Sequence, residues 1–176
     1  MAGKLVYRLE VRDVPEQIVG SIRGHVQVSE LDPWIATAIQ ELFTRLAQQR
    51  IRPAGTPFAI LPAPNGKEAV EVDVALPAVR EVAGSGRVEG RVVPACRALA
   101  TIHRGPYEEL TGAYHALAVA MEEQGIEPIA EPREVYLTNP QEIPPEDYET
   151  EVLWPVDVPP DWVPSSPKVE RPLPRS

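Results

Sequence analysis

Residues 4–11 (KLVYRLEV) alternate weakly between apolar and polar positions and predict a strand. Residues 17–28 (QIVGSIRGHVQV) are rich in β-branched side chains and predict a second, bent or bulged near Gly20 and Gly24. The period then changes. Trp34, Ile35, Ala38, Ile39, Leu42, Phe43 and Leu46 recur at spacings of three and four, the stripe of an amphipathic helix over 30–49. Ser29 or Asp32 is its expected N-cap and Pro33 suits its first position. Residues 57–61 (PFAIL) and 69–76 (AVEVDVAL) return to strand character, and the Asn65-Gly66 pair between them is a hairpin turn signal.

The same order then recurs. After a connection over 79–84, residues 87–93 (RVEGRVV) and 97–103 (RALATIH) predict strands, and 106–124 predict a second helix stopped by Gly125. Residues 133–138 (REVYLT) and 148–154 (YETEVLW) predict the closing strands. The final strands of the two halves, VEVDVALPA and YETEVLWPV, match at an offset of about 75–78 residues. One strand–helix–strand–strand unit cannot cover both faces of its own sheet and helix. The expected fold is therefore α+β: two pseudo-symmetric halves, about 1–78 and 79–156, with antiparallel sheet, a helix packed on each half, and a ligand cleft where the halves meet.

Composition changes the picture at the C-terminus. Seven of the 21 prolines fall in the 22 residues from Pro155 to Ser176, where neither period persists. Residues 157–176 are expected to be an extended tail without regular structure, with Trp162 the residue able to rest on the body, and removable at Asp157 with little change in thermal stability. The charges of this tail cancel, so the body holds the net −9. That balance and the absence of room upstream for a helix-turn-helix lead us to expect no nucleic-acid partner. The single cysteine, Cys96, excludes an internal disulfide and a zinc site built on several thiolates, and His25, His103 and His115 are not at metal-ligand spacing, so neither a metal nor another cofactor is expected. No apolar run is long enough to span a bilayer and Met1 to Tyr7 does not read as a signal peptide, so a cytoplasmic protein away from the membrane is expected.

Several segments together resemble the GyrI-like family, the effector-binding domain also found in BmrR- and Rob-type multidrug-sensing regulators. They are VEVDVALP (70–77), ATIHRGPYEEL (100–110) with AYHAL (113–117), REVYLTNP (133–140) and YETEVLWPV (148–156), and the resemblance covers roughly residues 4–156. It implies a cleft between the halves, lined by aromatic rings around a buried acidic residue, that takes lipophilic cations. The Glu-x-Tyr of REVYL corresponds to the family's ligand-facing carboxylate.

The residues permit the same reading. Alternation puts Glu134 and Tyr136 on one strand face. A carboxylate buried in an apolar strand is costly unless something compensates it, and its pKa should then rise. Tyr107 and Tyr114 share a helical face with Leu110, Leu117 and Met121, and a buried tyrosine hydroxyl needs a partner. Trp34, Phe58 and Trp154 complete the expected ligand-binding set. His103 reads as a strand-end histidine bonded to backbone. Glu71, Asp73, Glu149 and Glu151 read as a solvated face or as an acidic rim that draws cations. The favoured function is a stand-alone binder of a lipophilic, cationic small molecule. The alternatives are a hydrolase of strained electrophiles using Glu134 as its catalytic residue, since some stand-alone relatives do this, and a protein-interaction inhibitor.

Overall fold

The computed structural model describes residues 7–164. Eight strands form one antiparallel sheet: β1 (Glu10–Val14), β2 (Gln17–Gln27), β3 (Phe58–Ile60), β4 (Ala69–Pro77), β5 (Glu89–Val93), β6 (Cys96–Arg104), β7 (Arg133–Tyr136) and β8 (Glu149–Pro155). Helix α1 (Leu31–Gln48) lies between β2 and β3, and α2 (Thr111–Gln124) between β6 and β7. The strand order is β1-β6-β8-β7-β3-β4-β2-β5. The pseudo-dyad passes between β7 and β3, and the expected strand–helix–strand–strand unit is present twice, as β2-α1-β3-β4 and β6-α2-β7-β8.

The edge strands are exchanged. β1 precedes β2 in the chain but pairs with β6, and β5 precedes β6 but pairs with β2. The linkers are only Pro15-Glu16 and Pro94-Ala95. In a flat sheet β1 and β2 would be six spacings of about 4.8 Å apart, roughly 29 Å. Two linking residues reach only about 10 Å. The sheet must therefore curl until its two edges approach, which gives a half-barrel with the helices outside. Small residues line its concave side: Ala75, Ala98 and Ala100 are fully buried there with Val19, Phe58 and Leu153. On the convex side α1 packs Leu42 and Leu46 against Ile22, Val74 and Leu76, and α2 packs Ala113 and Leu117 against Leu99 and Val152.

A second repeat explains how the exchanged strands are held. β1 and β5 each begin the pattern Glu-x-Arg-x-Val-Pro, at residues 10–15 and 89–94. Arg12 forms an ion pair with Glu151 of β8, and Arg91 forms one with Asp73 of β4. Asp73 and Glu151 occupy equivalent places in the matched final strands. Each edge strand thus carries an arginine that reaches the third strand of the opposite half. Of the acidic residues expected on a solvated face or rim, Glu71 is exposed beside His25, but Glu151 is only 3% exposed and Asp73 faces the concave interior.

Element boundaries moved for local reasons. β1 starts at Glu10 rather than near residue 4, and residues 4–6 lie outside those described. The β2–β4 register is unbroken, so Gly20 and Gly24 mark close approach rather than a bulge: Leu46 lies over Gly20 and the Trp34 ring over Gly24. A 3₁₀ turn, Val28–Glu30, precedes α1, so Leu31 is its first residue and neither Ser29 nor Asp32 caps it. Pro33 is third, still inside the turn whose N–H groups lack partners. The Asn65-Gly66 turn does form, with Gly66 at φ +75° and Asn65 Oδ1 accepting from the Lys67 N–H, but within a longer loop over 61–68. Helix α2 starts at Thr111, not 106, because Tyr107–Glu109 is a separate 3₁₀ turn. It ends at Gly125, left-handed at φ +66°.

Of the tail, residues 157–164 form no helix or strand, and Val158 and Trp162 pack half-buried on the cluster that includes Leu9 and Leu99. This contact revises the expectation for truncation. Removing residues 157–176 should lower stability by about 1–2 kcal/mol, the value of partly burying two apolar side chains. Thermal denaturation of the truncated chain measures it, and an unchanged midpoint would show that the contact contributes nothing.

Candidate functional site

The short strand β7 sits at the centre of the sheet, paired with β8 of its own half and with β3 of the other. Its alternation turns Arg133 and Val135 to the concave side and Glu134 and Tyr136 to the helix side. Opposite Glu134 on β3 stands Ala59, which is fully buried and too small to fill the space above it. The helices each cover their own half and leave a gap over this junction. That gap is a cavity of about 590 Å³. One wall is α1, through Asp32, Ile35, Ile39 and Phe43; the floor is Glu134 and Tyr136; the remaining wall is Tyr107 with the segment 137–141.

Glu134 is 9% exposed. Tyr114, from α2, donates its hydroxyl to Glu134 Oε2 at 2.5 Å, and Tyr136 donates to Oε1 at 3.0 Å. Tyr107 meets Tyr136 edge to face at 5.9 Å and stacks on Tyr148 at 4.9 Å. The Tyr148 hydroxyl in turn donates to the Pro140 carbonyl at 3.3 Å, which ties the 137–141 wall to the aromatic cluster. Among the described residues lining the cavity none is basic, and Glu134 has no ion-pair partner among them.

Burial raises the Glu134 pKa; the hydroxyls of Tyr114 and Tyr136 pull it back by bonding the charged form, and the nearby Asp32 carboxylate raises it further. Burial raises Tyr114 and Tyr136 well above the usual phenol range, and Tyr107 to about 12. The phenols therefore stay protonated at any ordinary pH and act as donors. This arrangement can hold a carboxylate in place and hydrogen-bond it without cancelling its charge. Tyr114→Phe should remove one of the bonds that favour ionisation and move the Glu134 pKa up. A pH titration of the carboxyl by NMR on both proteins checks the direction; a midpoint that stays or falls would contradict it.

The structure brings Glu134, Tyr136, Tyr107 and Tyr114 together, although Tyr107 arrives from the 3₁₀ turn and not from the face of α2. Four of the expected residues do not line the cavity: Tyr114 joins the site only through its bond to Glu134, and Trp154, Trp34 and Phe58 lie elsewhere. Trp154 packs edge-on behind Tyr114 at 6.4 Å and donates Nε1–H to the Ala130 carbonyl. Trp34 turns away to cover Gly24, with the Arg87 guanidinium 5.5 Å from its ring. Phe58 follows strand alternation to the concave face, 2% exposed, with Arg133 over its ring at 5.5 Å. His103 is fully buried beneath the N-terminal segment, its Nδ1 bonded to the Tyr7 hydroxyl at 2.8 Å and its Nε2 3.3 Å from the Pro106 carbonyl.

The α1 wall and Asp32 were missed. A signal for them existed: the buried row Ile35, Ala38, Leu42 and Leu46 already fills the core side, so Ile39 and Phe43 make the apolar stripe wider than one packed face needs. Phe43 is 44% exposed and Leu137 38% exposed, at the cavity mouth. Among the described residues no group of three or more His, Cys, Asp or Glu side chains is placed to hold a metal, and no helix is long and apolar enough to cross a membrane.

The fold recurs in solved structures. The EcmrR C-terminal domain shares 25% identity with a TM-score of 0.74 over 87% of this chain and 99% of its own. EcmrR in its complex with DNA shares 26% identity with a TM-score of 0.77, and the match covers 86% of this chain but only 57% of that longer one. A hydrolase from Listeria innocua (17% identity, TM-score 0.63, covering 85% and 92%) and SAV2435 bound to tetraphenylphosphonium (12%, 0.57, covering 87% and 94%) share the fold. No curated protein matches the chain. The family model of the GyrI-like small molecule binding domain matches residues 8–157, and with the half-barrel, its two helices and the cavity between its halves this places the chain in the GyrI-like small-molecule-binding family.

Proposed function

We propose that this domain binds a lipophilic cation in the cavity between its halves, with Glu134 as the counter-charge. One observation carries the reading: a carboxylate nine-tenths buried at the floor of an apolar cavity, bonded by two tyrosines and facing no basic side chain among the described residues. Such a group is costly to keep ionised alone, and a bound cation supplies what the fold withholds. The aromatic faces of Tyr107 and Tyr136 add cation–π attraction, worth about 0.5–2 kcal/mol in desolvated sites. A protein of the same fold bound to tetraphenylphosphonium supports the choice of ligand class.

Calorimetric titration with tetraphenylphosphonium and with a neutral dye of similar size tests the proposal. One site and a preference for the cation are expected; equal affinity for both would overturn it. The Listeria neighbour keeps a second reading open, in which the raised Glu134 carboxyl serves as a general acid toward a strained electrophile. Turnover of a strained-ring panel that disappears in Glu134→Gln would favour that reading over binding alone.

A further inference from the structure

The cavity holds a second acid. Asp32, in the first turn of α1, stands at the mouth on the wall opposite the 137–141 segment. It makes no capping bond to the helix backbone and no ion pair among the described residues. Asp32 and Glu134 both line this cavity, and Asp32 stands near enough for its charge to act on Tyr107 and Glu134. Glu108 stands outside and adds to the field at Asp32. The cavity thus carries an exposed acid on its α1 wall and a buried acid at its floor. The rest of the lining is apolar and aromatic with neutral polar side chains, and it holds no basic residue.

We propose that Asp32 is a second cation contact, and that the cavity selects flat or elongated aromatic compounds carrying two positive centres, one against Glu134 and one against Asp32. This rests on the reading of the cavity as a cation site. A single charge seated at the floor satisfies Glu134 and leaves Asp32 in solvent. A second charge at the mouth meets a carboxylate that the helix start holds in place but does not neutralise. An acid in a first helical turn also favours the helix itself. That role cannot discriminate between ligands, so ligand discrimination is the readout that separates the two.

The probes are N,N′-dibenzyl-4,4′-bipyridinium, with two positive nitrogens, and its mono-quaternary analogue in which one ring nitrogen is replaced by carbon. Calorimetry is run on wild type, Asp32→Asn, Asp32→Ser and Glu134→Gln, each checked by thermal denaturation. Wild type should prefer the dication. Both Asp32 variants should weaken the dication about three- to fivefold, the range of a solvent-facing ion pair, and leave the monocation within about twofold. Glu134→Gln should weaken both probes. Loss of both probes alike in the Asp32 variants, or of neither, overturns the role of Asp32 while the cation site stands. No loss of either probe in Glu134→Gln overturns the cation site itself.

Discussion

Replacing Glu134 with Gln should cost a lipophilic cation about 1–3 kcal/mol of binding, roughly a 5- to 150-fold loss, and leave a neutral isostere nearly unaffected. The amide keeps the shape of the carboxyl and can still accept the Tyr114 hydroxyl, so the cavity is preserved and only the charge is removed. The effect is large because the site is poorly solvated: Glu134 is 9% exposed, and water does not screen the attraction as it would on a surface. It should also depend on pH. Burial raises the carboxyl's pKa, and the carboxyl must be ionised to attract a cation, so affinity falls as the pH drops through that raised value. The consequence for the empty protein has the opposite sense. A carboxyl whose pKa is higher folded than unfolded favours the fold fully below the unfolded value, and this contribution is lost as the pH rises through the folded value. Above that point Glu134→Gln should leave the unliganded protein at least as stable as wild type. Chemical denaturation at neutral pH measures this; a marked destabilisation would show that the carboxylate is already compensated within the fold.

The largest effect on stability is expected at Gly90. It lies on the convex side of β5, where the connection from β4 crosses and brings the Val82 backbone down onto the strand. A Cβ at position 90 would stand 1.8 Å from the Val82 carbonyl oxygen, so backbone must move. Val82 and Val88 belong to the core under α1, with Leu42 and Leu46, and any shift propagates to that helix. Gly90→Ala should therefore cost about 2–4 kcal/mol, at or above the upper end of ordinary overpacking. The control is Gly66→Ala in the exposed loop over 61–68, where a Cβ meets nothing within 4 Å and only the φ of +75° resists it, for about 1 kcal/mol. Denaturant titration of both variants gives the comparison. Equal losses would mean that the connection adjusts freely and is not part of the core.

The α+β class and the doubled unit were legible because each half alternates with period two in its strands and near 3.6 in its helix, and because VEVDVALPA and YETEVLWPV repeat. The exchange of β1 and β5 was harder to see. Local periodicity says nothing about which partner an edge strand takes. The repeated Glu-x-Arg-x-Val-Pro carried the clue, since an arginine alternating inward demands an acid that its own half does not place beside it. At the site, Glu134 and Tyr136 could be paired from alternation alone. Tyr107 could be placed near them, but not through the mechanism expected, because a 3₁₀ turn replaces the first turn of α2. Phe58 and Trp34 were misplaced for a different reason. Aromatic character identifies neither the face of a strand nor the side of a helix, and Phe58 lies opposite Val135, not opposite Glu134. Asp32 was read as a capping residue, because a helix-start acid is locally sufficient to explain itself.

The central claim is that Glu134 supplies the charge that a cationic ligand meets between the halves. The most direct test is a crystal structure of the protein with tetraphenylphosphonium. The account predicts one cation in the cavity, its positive centre toward the Glu134 carboxylate, a phenyl ring against Tyr107, and the bonds from Tyr114 and Tyr136 intact. A cation bound only elsewhere on the molecule, or seated in the cavity with Glu134 turned away from it, would contradict the account.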